Sequence, residues 1–161
     1  MDLLPLIATT VGAAIALSGT LLTDVRRDRR QRDRDNQQLR REVYVGFALA
    51  LNTAHDTLRQ IGNGTATGDE RRAAAGRALG EAYGARERLL MIATEPVAVA
   101  GEAAFLRLGE IRSAIRDGAT TKSESYRTTY EKWAEAIWHF RMTVRSELGQ
   151  QALPQLVEGF S

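Results

Sequence analysis

Two histidines, His55 and His139, are the side chains best suited to acid–base or metal chemistry in this chain. A di-iron centre in a helical bundle needs Glu-x-x-His pairs on two helices and two further carboxylates. Here the spacing is Glu135-x-x-x-His139, one residue longer, and His55 has Asp56 beside it. Glu131, Glu135 and His139 share a helix face and have the spacing of one weak metal site. The same spacing describes a solvated acidic face that ends in a surface histidine, and this is the reading favoured. Glu131 and Glu135 can divide acid and base roles only inside a cleft, and no feature of the sequence places one there.

Nucleophilic chemistry lacks its parts. The chain has no cysteine, and no serine stands in a Gly-x-Ser-x-Gly context. Gly62, Gly64 and Gly68 loosely resemble a phosphate-binding loop, but no strand precedes them and no Gly-Lys-Ser/Thr follows. Asn63-Gly64-Thr65 matches a glycosylation acceptor and equally a common turn pair. The expectation is a protein that is not an enzyme, with no cofactor and no metal.

The elements around these residues point elsewhere. Residues 3–23 hold no charged side chain, and arginines follow directly. A helix of that length reaches about 30 Å, the thickness of a bilayer's hydrocarbon core. The only charged residue ahead of it is Asp2. A secretory signal begins with a positive region, whereas lysine and arginine stay on the cytoplasmic side of a spanning helix. Residues 1–23 are therefore expected to be a transmembrane helix in the cell membrane, with the N-terminus outside and the C-terminal domain in the cytoplasm. Ala8, Gly12, Ala16 and Thr20 stand four apart, a row that lets two helices approach closely in lipid. This is the expected oligomerisation face.

Residues 24–42 carry eight arginines against five acids, whereas residues 43–161 carry fourteen basic and fourteen acidic residues. The positive surplus thus lies beside the expected membrane. Arg26, Arg27, Arg29, Arg30 and Arg32 stand nearest, each worth about 1 kcal/mol against anionic headgroups. A nucleic-acid-binding protein would carry the surplus on its folded part, so no nucleic-acid partner is expected. The segment reads as a charged helical stalk about 28 Å long, with i,i+4 pairs such as Asp28–Arg32 and Arg29–Asp33. A parallel coiled coil through Val25, Arg32, Asn36, Leu39 and Val43 has few apolar seam positions.

Residues 43–149 read as an antiparallel four-helix bundle in an all-α protein. Val43, Phe47, Leu51, Ala54, Leu58 and Ile61 recur at steps of four and three and stop at Gly62. A second helix spans residues 69–93, capped by Thr67 and Glu70, with a face of Ala75, Leu79, Ala82, Tyr83, Arg86, Leu90 and Ala93. Gly76, Gly80 and Gly84 stack beside that face. Glycine costs up to about 1 kcal/mol inside a helix, so three in a row imply that another helix or a partner presses close. Pro96 opens a third helix, with Val97, Ala100, Ala104, Leu108, Ile111 and Ile115 on one stripe and Asp117-Gly118 at its end. Thr121 and Glu124 make a capping box for the fourth, whose stripe is Tyr126, Tyr130, Trp133, Ile137, Phe140, Val144 and Leu148. Gly149 stops it, and residues 150–161 form a C-terminal tail. Trp138 falls one position off the stripe and is a candidate partner contact.

The uncharged opening, the arginines at 26–41 and Tyr44-Val45-Gly46-Phe47-Ala48-Leu49-Ala50-Leu51 together resemble a group of small actinobacterial single-pass membrane proteins. The likeness covers about a third of the chain and is compositional. It implies no activity and carries over no functional residue. The expected function is a membrane-anchored helical binding or scaffolding module: an accessory subunit or partner-recruiting anchor. Its expected partners are membrane lipid and a second copy or a larger membrane complex. A self-oligomerising effector that permeabilises the bilayer through the Ala8–Thr20 face is the alternative.

Overall fold

The computed structural model describes residues 4–151 and 153, with side chains from residue 29 onward except Arg30. Every element among the described residues is an α-helix: α1 Leu4–Asn63, α2 Gly68–Arg77, α3 Gly80–Ile92, α4 Glu95–Arg116 and α5 Glu124–Glu147. The chain divides into two units, Met1–Leu39 and Arg40–Ser161.

In the first unit the backbone is helical from Leu4, and the described side chains of residues 29 and 31–39 are exposed. Gln31 donates to Asp35 at 3.0 Å, an i,i+4 contact of the kind that supports a solvated helix. The expected membrane span over residues 1–23, with Ala8, Gly12, Ala16 and Thr20, lies outside the described side chains. So do Arg26, Arg27 and Arg30. Among the described residues, no helix is long and apolar enough to cross a membrane.

The second unit is a bundle-like helical assembly with one apolar core. On α1 the buried line is Tyr44, Phe47, Leu51, Ala54 and Leu58, a strict three–four repeat. On α4 it is Val97, Ala100, Ala104, Leu108, Ile111 and Ile115, the full expected stripe. On α5, Tyr126, Trp133, Ile137 and Phe140 are buried, while Tyr130 and Val144 pack at the margin. Contacts fix the directions. Along α1 and α5, Tyr44 meets Glu147, Phe47 meets Phe140, and His55 meets Tyr126, so these two helices run antiparallel. Along α3 and α4, Arg86 meets Glu102 and Tyr83 meets Phe105, again antiparallel.

Helix ends follow local chemistry. Pro96 sits in the first turn of α4, where its missing N–H is no loss. Gly118 and Gly149 adopt φ of 99° and 67°, the left-handed conformation that closes α4 and α5. The expected capping boxes do not form. Gly68 enters α2 at φ 57°, outside the helical region where a capping box needs its first residue, and Thr67 makes no side-chain cap. At α5 the cap is Ser123, which accepts from the Tyr126 N–H at 3.4 Å. Thr121 instead donates to Asn63 at the end of α1.

The expected second helix is two helices. Ala78 and Leu79 interrupt it, with Leu79 at φ −95° and ψ 4°, between residues that include Gly76 and Gly80. The buried line keeps one helical period across the interruption, through Arg71, Ala75, Leu79, Ala82, Ala85 and Leu89. The expected face is met at Ala75, Leu79 and Ala82, and Ala93 packs at the core's margin, while Tyr83 and Leu90, one position beyond Ala82 and Leu89, are 45% and 41% exposed.

Close helix approach occurs at other glycines than Gly76, Gly80 and Gly84. A Cβ on any of those three would meet nothing within 4 Å. Gly101 is the tight point. A Cβ there would collide with Leu89 Cδ2 and crowd the Phe47 and Phe140 rings at 3.2 and 3.3 Å. Phe47 and Phe140 meet edge to face with centroids 5.2 Å apart, so neither ring can withdraw freely. Gly101→Ala should therefore cost about 1–3 kcal/mol by overpacking. Gly84→Ala, exposed and helical, should stabilise by up to about 1 kcal/mol. Urea unfolding of both variants checks the pair; a neutral Gly101→Ala would contradict the packing described.

Candidate interaction surface

Three polar junctions hold the bundle's surface in place. The first joins the start of the core in α1 to the end of α5. The Tyr44 hydroxyl donates to Glu147 Oε1 at 2.8 Å, Thr94 donates to Glu147 Oε2, and Arg40 lies 3.6 Å from the same carboxylate. Tyr44 is 1% exposed. Burial pushes its phenol up to about 12, with the Glu147 hydrogen bond and charge adding to the effect. One carboxylate thus ties α1, the residue capping α4, and α5.

The second junction lies at the other end. Arg71 on α2 is buried, and its Nη2 donates to Ala119 O at 2.6 Å and Gly62 O at 3.4 Å. Those carbonyls lie at the end of α1 and just past α4, where helices leave acceptors unfilled and carry partial negative charge. A guanidinium answers both needs without a carboxylate. Gly62 is also a close approach: a Cβ there would come 2.7 Å from Ile115 Cδ1. An open cleft of about 450 Å³ beside this junction is lined by Thr67, Gly68, Arg71, Arg72, Arg116, Asp117 and Gly118. The glycine-containing loop of residues 62–68 thus serves helix packing and helix entry.

The third junction is aromatic. His55 is buried and its ring stacks on Trp133 at 4.3 Å and 18°, with Tyr130 at 5.3 Å. His55 Nε2 lies 3.1 Å from the Tyr126 hydroxyl. Burial lowers the imidazole's pKa from its ordinary value; Asp56 opposes that shift and Arg59 assists it. Burial likewise raises the Tyr126 phenol. Trp133 Nε1 is buried without a partner. His55 is thus a core residue shared by two helices.

The remaining sequence candidates fall as follows. Glu131, Glu135 and His139 are exposed, and among the described residues no three His, Cys, Asp or Glu side chains gather to hold a metal. Arg29 and Arg32 are exposed. Trp138 is half-buried. Arg86, expected on the buried face, instead makes a two-pronged ion pair with Glu102 at 2.6 and 2.8 Å over the Phe105 ring. That pairing raises its pKa further.

Outside the core, large apolar side chains face solvent on α1, α3 and α4, with Met91 of α3 the most exposed at 78%. Val45 and Leu49 stand four apart on α1, and Val99 and Leu106 stand seven apart on α4, each more than half exposed. Between α1 and α2 a second cleft, of about 430 Å³, runs along Ala50, Thr53, Thr57 and Ile61 on one side and Ala74 and Ala78 on the other. Its lining includes Arg77 and Glu81, the sequence neighbours of Gly76 and Gly80.

Sequence reasoning missed Tyr44, Thr94, Glu147, Arg71 and the burial of His55. Tyr44 carried a signal, since it opens the three–four repeat that runs through Phe47, Leu51, Ala54 and Leu58. The others depend on contacts between distant segments, as with Tyr44 and Glu147. No protein-family model, curated protein or solved structure matches this chain.

Glu147→Ala should cost about 3 kcal/mol, because hydrogen bonds to a charged group contribute roughly 1.5–3 kcal/mol and a buried phenol is left unpaired. Tyr44 adds a pH signature. A phenol whose folded pKa lies above its unfolded value of 10.0 contributes stability that is fully present below pH 10. That contribution is lost as pH rises toward about 12. Denaturant midpoints measured from pH 9 to 11.5 should fall more steeply for the native chain than for Tyr44→Phe.

Proposed function

We propose that this protein is a membrane-anchored helical binding or scaffolding module, an accessory subunit or anchor that recruits a partner to the membrane. The observation that carries the reading is the sequence order: 21 uncharged residues, then arginines, then a charge-balanced helical unit. In this reading residues 1–23 span the cell membrane with the C-terminal domain in the cytoplasm. Residues 24–42 form the stalk, whose arginines engage lipid headgroups. The second unit is an antiparallel four-helix bundle, built from the end of α1, the broken α2–α3 pair, α4 and α5.

Two features of the bundle support a binding role. Gly76, Gly80 and Gly84 have open space above them, although glycine inside a helix costs stability. A helix of another protein, or of a second copy, can lie close along such a stripe. Val45, Leu49, Val99 and Leu106 add apolar surface that the core does not use. Trp138, half-buried on α5 and one position off the core stripe, is a further contact for that partner.

Cell fractionation tests the anchor. The full chain should pellet with membranes and need detergent for release, whereas a chain lacking residues 1–23 should stay in the supernatant. A full chain in the supernatant rejects the reading. Gly80→Leu with Gly84→Leu tests the partner face. At exposed positions this pair should leave the fold intact, moving stability by about 1 kcal/mol at most. It should abolish co-purification of whatever the native chain retains in detergent.

A further inference from the structure

We infer that His55 is an acid-sensitive joint: protonating it loosens the seam between α1 and the first half of α5. The inference goes beyond the anchoring role and does not depend on it. The geometry is specific. The imidazole is held between two ring faces, Trp133 at 4.3 Å and Tyr130 at 5.3 Å, and its Nε2 is committed to the Tyr126 hydroxyl at 3.1 Å. The groups that titrate or carry charge around it are Tyr126 and Tyr130 on α5 and Asp56 and Arg59 on α1.

A neutral imidazole with Nε2 unprotonated accepts from the Tyr126 hydroxyl, and this pairing satisfies both groups. An imidazolium has donors on both nitrogens and no acceptor, which leaves the Tyr126 hydroxyl proton to find another partner. Trp133 offers none, since its indole Nε1–H is a donor only and itself lacks an acceptor. The ring faces of Trp133 and Tyr130 do attract a cation, but burial is the largest influence and acts against the charged form. The sign follows. Above pH 6.5 the ring is neutral whether the seam is closed or open. As pH falls below 6.5 the open seam takes the proton first, and the population shifts toward it. Opening uncovers Tyr126, Tyr130 and Trp133 together, an aromatic surface that neutral pH keeps covered.

The test uses the full chain in detergent with His139→Gln and Trp138→Phe. His55 is then the sole histidine and Trp133 the sole tryptophan. Trp133 emission should shift to the red between pH 7.5 and 5. At pH 5, amide exchange over residues 126–133 should run about tenfold faster than in the same chain carrying His55→Phe. His55 should titrate below 6.5 by ring NMR. An unchanged emission, an equal acid response in His55→Phe, or a His55 titration at or above 6.5 would each overturn the inference. Should His55→Phe not fold, Tyr126→Phe keeps the stack while removing the hydroxyl that the neutral ring satisfies, and it should raise the His55 midpoint. A midpoint that stays put or falls counts equally against the joint.

Discussion

Three helices converge on a place where the fourth has no side chain. Gly101 of α4 lies under Phe47 of α1, Phe140 of α5 and Leu89 of α3, and a single methyl at that point would collide with the last of them. Close-packed interiors transmit such constraints, because no neighbour has free volume into which to retreat. The phase of every helix follows from this crossing. Phe47 sets the line Tyr44–Phe47–Leu51–Ala54–Leu58 on α1. Phe140 sets Trp133–Ile137–Phe140 on α5, and Leu89 draws Ala82 and Ala85 inward on α3. Leu89 lies in helical line with Ala82 and with Leu79, which stays buried in the break between α2 and α3.

The polar junctions stand at the two ends of this core, about 27 Å apart along α1 from Tyr44 to Gly62. They solve different problems. At one end Glu147 is a carboxylate that would be isolated near the core edge, and it is held by two hydroxyls and Arg40. At the other, Arg71 is a buried cation, and helix carbonyls rather than an acid receive it. Between them His55 is the one buried residue whose charge can change near neutral pH, and it lies on the α1–α5 seam.

Helix faces were legible where the apolar pattern is long and uninterrupted. The α4 stripe from Val97 to Ile115 and the α5 stripe from Tyr126 to Phe140 follow directly from periodicity, because burial of one face is what makes those helices stable. Residues 83–93 defeated the same reasoning. The buried line through Ala82, Ala85 and Leu89 runs one position ahead of the expected Tyr83, Arg86 and Leu90, and Leu89 rather than its equally apolar neighbour Leu90 packs against Gly101. Glycine was legible only as a cost. Whether the space above it is filled, as at Gly101 and Gly62, or open, as at Gly76, Gly80 and Gly84, depends on what the rest of the chain brings alongside. Capping failed for a related reason: Thr121 is drawn to Asn63 on another helix, and Ser123, two residues on, takes the cap.

The surface is informative because the core is already complete. Each helix of the second unit contributes buried residues to one apolar cluster, and Val45, Leu49, Val99 and Leu106 lie outside it. Single exposed leucines are ordinary on any protein. Val45 with Leu49, four apart on α1, presents two adjacent apolar side chains to solvent, and Val99 and Leu106 stand two turns apart on one face of α4. The three open glycines add a stripe that weakens α2 and α3 without relieving any contact inside the chain. The cost of those residues is local, and Gly76 and Gly80 flank the break where α2 ends and α3 begins.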